Sequence, residues 1–205
     1  MTDGQLRTRA LRLSYFTVAY NLVEGLVSVV AGALAGSVAL VGFGLDSFVE
    51  SLSGGVMIWR FGGAQGEAAS CDAEKREERA LKLVGYTFWI LGAYVLYESV
   101  EKLLGGERPE PTGLGIAIVV VSLVVMPALY LAKRRTAERM GSRSLAADSK
   151  QTLACMGMSA AVLLGLILNQ TLGLWQADPV IGILIAALLF REGRETITEG
   201  KLCSC

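Results

Sequence analysis

The chain has 205 residues, 53% apolar and 19% charged, with a mean hydropathy of +0.50. Soluble domains carry roughly 25% charge, and apolar residues here run in blocks too long for a soluble domain of this size to bury, so an integral membrane protein is expected. There is no His, which excludes a Ser-His-Asp triad, a His-ligated haem and any zinc site that needs imidazole. The 19 basic and 19 acidic residues cancel, so no nucleic-acid surface is implied.

Five apolar blocks, 13–34, 38–59, 83–104, 113–132 and 145–169, can each cross a hydrocarbon core of about 30 Å at about 1.5 Å per residue. The first follows a basic arm and ends in Ala33-Leu34-Ala35, as a cleaved signal peptide would. Asn21 and Glu24 interrupt it, however, and it exceeds the usual signal core of about 7–15 apolar residues, so it is kept as a span. Only Ala35-Gly36-Ser37 separates it from the second block, which requires a tight antiparallel hairpin. A polar loop of mixed charge over 62–79 precedes the third. The third block carries Gly85, Gly92 and Ala93, small residues that permit close helix approach within the chain or between copies. The sixth segment, 178–194, has a shorter apolar core. Asp178 and Pro179 read as its N-cap and first helical residue, and Arg191 and Arg194 can snorkel.

The basic residues are sorted by loop. Seventeen fall in the N-terminal arm, the second and fourth loops and the tail, the fourth loop holding Lys133, Arg134, Arg135, Arg139, Arg143 and Lys150. Only Lys102 and Arg108 lie on the opposite side. The positive-inside rule then gives an all-α, six-transmembrane-helix bundle with both termini cytoplasmic, a multi-pass protein of the cell membrane (the inner membrane in a bacterium).

Ionisable side chains inside spans are costly, so each is a candidate for function. Asp46 and Glu50 are four residues apart on one face of the second span, about 12 and 18 Å from its start. Two ionised carboxylates this close repel, so either one is protonated or a cation sits between them. A buried acid pair hydrogen-bonded to a neighbouring helix is the structural alternative. In the fifth span Gln151 and Cys155 are also four apart, with Asp148 one turn toward the cytoplasm and Ser159 one turn beyond. Cys155 lies about 15 Å deep, level with the acid pair. Taken singly, Cys155 reads as a small hydrophobe and Gln151 as helix-to-helix glue. Asn21, Glu24 and Ser28 share a stripe of the first span, where Glu24 either lines an access path or hydrogen-bonds across the hairpin, the latter being favoured. Cys71, Cys203 and Cys205 are expected in the cytoplasm, so structural disulfides are not. Cys203-Ser204-Cys205 fits either soft-cation capture or an incidental pair of thiols.

These residues resemble the cation diffusion facilitator family. Gly36-Ser37-Val38-Ala39-Leu40 followed by Asp46-Ser47-Phe48-Val49-Glu50 is similar to the family's S-x-A-L opening and D-x-x-x-D metal pair. Ala147-Asp148-Ser149-Lys150-Gln151 with Cys155 is similar to its H-x-x-x-D or D-x-x-x-D segment, and Ala177-Asp178-Pro179 to the start of its last helix. The resemblance implies a six-helix bundle, usually a homodimer, that exports a divalent metal, commonly zinc, in exchange for protons. It makes Asp46, Glu50, Gln151 and Cys155 the four candidate metal ligands, between the second and fifth helices.

Two departures bear on the chemistry: Gln151 replaces a His or Asp, and Cys155 replaces an Asp. A thiolate favours zinc, cadmium or copper(I) over hard cations, whereas a neutral amide is a poor zinc ligand that a water would supplement. Without His, an exchanged proton must ride on Asp46, Glu50 or Cys155. The reading is therefore a single transmembrane cation-efflux domain over 1–205, with no C-terminal cytoplasmic domain and a homodimer formed by membrane helices. No enzymatic activity and no cofactor beyond the transported ion are expected. A non-transporting membrane subunit with a vestigial site is the alternative.

Overall fold

A computed structural model describes residues 3–62, 71–110 and 112–199. Among the described residues every regular element is a helix: α1 (Asp3–Ala35), α2 (Val38–Gly62), α3 (Cys71–Gly105), α4 (Gly113–Met140), α5 (Arg143–Leu172) and α6 (Ala177–Glu199). α1, α4 and α5 contain stretches long and apolar enough to cross a membrane by length and composition, over Gly4–Ala35, Gly113–Met140 and Ser144–Leu172. All six helices also turn large apolar side chains outward, among them Leu26, Leu52, Ile90, Val124, Leu164 and Leu184. Outward apolar faces on every element suit an apolar surrounding rather than water.

The helices outrun the apolar blocks. α3 starts at Cys71, so the second half of the expected polar loop is helical, and α4 continues to Met140, leaving only Gly141 and Ser142 before α5. An apolar run stops at the first charge, but Glu, Lys, Arg and Ala are strong helix formers, and a helix continues through them. The breaks fall where the backbone must turn. Gly141 and Gly173 close α4 and α5 at φ of 61° and 64°, a left-handed conformation that costs glycine little. Thr112 and Ser142 open α4 and α5 by accepting the N–H groups of Gly115 and Leu145.

The helices pack chiefly as three pairs, α1 with α2, α3 with α6 and α4 with α5, while α2 also touches α3, α5 and α6. The expected hairpin of α1 and α2 closes at glycine: a Cβ on Gly25 would lie 2.9 Å from the Gly44 carbonyl oxygen, and one on Gly44 2.8 Å from that of Gly25. α3 meets α6 in the same way, a Cβ on Gly193 falling 2.8 Å from the Gly85 oxygen, with Gly92 against Ala186 and Leu189. Gly85 and Gly92 thus serve the contact within the chain, and only Ala93 of that small-residue set faces outward. Between the pairs lies one apolar core that includes Phe43, Phe88, Val95, Met126, Met158, Val162, Ile185 and Leu189.

Asp178 has a different task from the one expected. It lies inside the first turn of α6, and its Oδ2 accepts the Val38 N–H of α2 at 2.9 Å while its Oδ1 accepts the Ser37 hydroxyl. It caps α2 rather than its own helix. At the same end Lys102 donates to the Gly36 carbonyl (2.8 Å) and Asn169 to that of Pro109 (2.9 Å). At the other end Arg7 donates to the Phe61 carbonyl (2.7 Å), closing the hairpin.

Candidate metal site between α2 and α5

The i, i+4 spacing on α2 brings Asp46 and Glu50 to one buried face, exposed by 3% and 0%. α5 packs against this face and presents Asp148, Thr152, Cys155 and Ser159, all buried. The buried thiol of Cys155 feels the charge of both the Asp46 and Glu50 carboxylates. Gln151 is half-buried beside this stripe, at its edge rather than its centre. Asp46, Glu50 and Cys155 therefore lie on facing buried stripes of α2 and α5, and Thr152 takes the central place expected of Gln151. Its hydroxyl donates to Glu50 Oε1 at 2.7 Å. The other carboxylate oxygen of Glu50 is buried without a hydrogen bond. Among the described residues no three Asp, Glu, Cys or His side chains are gathered closely enough to cage a metal ion.

Glu24 settles on the hydrogen-bonding alternative. From α1 it is fully buried, its Oε1 accepts from Tyr20 (2.9 Å) and its Oε2 accepts from Ser47 (2.9 Å), the residue next to Asp46. Ser122 of α4 is also within its reach, and Ser122 bonds Ser159 of α5 at 3.0 Å. Glu24 thus joins α1 to α2 at the residue next to Asp46. On the same stripe the Asn21 amide and the Ser28 hydroxyl are buried without hydrogen bonds. The tail cysteines, Cys203 and Cys205, lie outside the described residues, as does the side chain of Cys71.

The largest correction concerns Lys133. Counted by charge it belongs to a cytoplasmic loop, yet its side chain is fully buried in α4. Its ammonium lies 2.9 Å from Asp148 Oδ2, an ion pair off the line of a well-formed hydrogen bond, and 3.7 Å from Glu50 Oε1. It donates to Thr152 Oγ1 at 2.9 Å. The signal was helical phase. Buried residues of α4 follow the series Gly115, Val119, Ser122, Met126, Leu129, Lys133 and Thr136, and Arg134 and Arg135 fall off that stripe onto exposed faces. On α6, Glu192 is half-buried and electrostatically coupled to Asp46, a neighbour that sequence spacing alone does not single out.

Residues 14–202 match the family described as the cation efflux transmembrane domain. The chain belongs to that family. It is 28% identical over 182 residues to the cation-efflux pump FieF of Shewanella oneidensis, covering 86% of this chain and 60% of that one. It is 23% identical over 194 residues to transmembrane protein 163 of Xenopus laevis, covering 94% and 68%. It is 21% identical over 172 residues to the uncharacterized transporter MJ0449 of Methanocaldococcus jannaschii, covering 82% and 60%. The chain therefore spans roughly two thirds or less of the length of these relatives. Family membership makes it a membrane protein of a cation-transporting kind.

Proposed function

We propose that this protein exports a divalent or soft transition-metal cation, zinc foremost, from the cytoplasm in exchange for protons. The observation that carries the reading is the meeting of Asp46 and Glu50 of α2 with Cys155 of α5 in a buried position, one Glu50 oxygen being unbonded. Two carboxylates and a thiol supply the charge and softness that zinc or cadmium needs, and a water or Gln151 completes four ligands. Metal binding must draw these groups to zinc–ligand distances of about 2.0–2.3 Å. Deprotonation of the ligands as metal binds supplies the coupling to protons.

In this reading all six helices cross the bilayer with both ends cytoplasmic, supported by the basic-residue asymmetry and by outward apolar faces on every helix. The chain acts as one transmembrane domain and pairs with a second copy through its membrane helices. The relative named a cation-efflux pump supports export. Uptake of zinc, cadmium, cobalt, manganese and copper(I) into proteoliposomes under an imposed pH gradient tests it. Zinc or cadmium accumulation that collapses with the gradient and in Asp46→Asn is expected. A folded protein that moves none of the five ions rejects it and leaves the non-transporting alternative.

A further inference from the structure

We infer that Lys133 is a tethered cation that competes with the metal ion for Glu50 and so sets the affinity of the site, an inference that rests on the metal-site reading above. Lys133 stands between two carboxylates with unequal roles. Asp148 Oδ2 is 2.9 Å from its nitrogen and Glu50 Oε1 3.7 Å, while Thr152 accepts from Lys133 at 2.9 Å and donates to that same Glu50 oxygen at 2.7 Å. Of the two carboxylates, only that of Glu50 belongs to the candidate site. All four side chains are buried, so no bulk water screens one charge from another.

A dication arriving at Asp46 and Glu50 repels the ammonium. Asp148 offers it a second seat, so it can withdraw from Glu50 without leaving a buried charge unpaired. A flexible four-carbon stem ending in a compact charge suits this movement. When the metal departs, the ammonium returns to Glu50 and restores charge balance. Lys133 and Asp148 lie toward the ends of α4 and α5 that the basic-residue count assigns to the cytoplasm, the side from which the metal enters. The consequence is an opposition of sign. Removing Lys133 leaves the acids uncompensated and tightens metal binding, whereas removing the Asp148 charge commits Lys133 to Glu50 and weakens it. A purely structural clasp among α2, α4 and α5 predicts instead that both substitutions disturb the site and weaken binding together.

The test is zinc titration calorimetry on the full chain in lipid nanodiscs, with folding checked by monodisperse elution. Lys133→Met should lower the zinc Kd about tenfold and Asp148→Asn should raise it about tenfold, the usual size of a coupling between sites. In the Lys133→Met background, Asp148→Asn should lose most of its effect, because no ammonium remains to redirect. Shifts of both single variants in the same direction, or no shift, overturn the inference. If Lys133→Met does not fold, Asp148→Asn decides alone, and an unchanged or lower Kd overturns it. Zinc binding by Lys133→Met but not by the unaltered chain makes the lysine a permanent occupant; the inference then stands and the export reading falls. Folded protein that binds zinc in neither form overturns both.

Discussion

Asp178 and Val38, 140 residues apart in the chain, are joined by a buried hydrogen bond of 2.9 Å in which a carboxylate of α6 accepts the first free N–H of α2. The same carboxylate accepts the Ser37 hydroxyl, so a single side chain fastens the hairpin of α1 and α2 to the last helix. Asp178→Ala leaves both donors unpaired in a buried setting, which costs about 1–3 kcal/mol. A lower midpoint of thermal unfolding in nanodiscs is expected, with Asp178→Asn milder because one acceptor survives. An unchanged midpoint for Asp178→Ala would show that the cap contributes nothing.

The glycine contact of α1 with α2 makes a contrasting pair of predictions. Gly44→Ala places a methyl 2.8 Å from the Gly25 carbonyl oxygen, where backbone and not a flexible side chain must yield. The helices separate and stability falls by about 1–3 kcal/mol. On the same helix Gly55 has nothing within 4 Å of its Cβ position. Gly55→Ala should match or slightly exceed the unaltered chain, since alanine favours helix by about 1 kcal/mol over glycine. Equal thermal shifts for the two would contradict the packing described here.

Substitutions at the candidate site should separate charge from softness. Asp46→Asn removes a charge facing the dication and should lower transport by about 10–100-fold or more, at least the effect usual for groups that merely support a ligand. Cys155→Ser exchanges thiol for hydroxyl at nearly constant volume, so cadmium transport should fall far more than manganese transport. Cys155→Asp should move preference toward zinc, cobalt and manganese. The cadmium-to-manganese ratio is the measurement that matters: if serine leaves it unchanged, Cys155 packs and does not ligate.

Topology can be read from Cys71, Cys203 and Cys205. In intact cells an impermeant maleimide should leave Cys71, Cys203 and Cys205 unlabelled until the membrane is opened. Labelling of Cys203 from outside would mean that α6 does not cross.

Local properties of the chain were legible without coordinates. The helical blocks, the short α1–α2 connection and the pairing of Asp46 with Glu50 depend on hydropathy and the 3.6-residue repeat, which act within one helix. The inward stripe of α4 was legible in the same way; reading Lys133 as part of a loop charge cluster concealed it, because the apolar run ended one residue earlier while the helix did not. Other facts needed the bundle. Which groups meet Lys133, which helix receives the Asp178 carboxylate, and why Thr152 rather than Gln151 faces Glu50 depend on how α2, α4, α5 and α6 are rotated against one another. A helix's own sequence sets which residues share a face, but the partner of a buried charge lies on another helix. Only the packing of the faces together selects that partner.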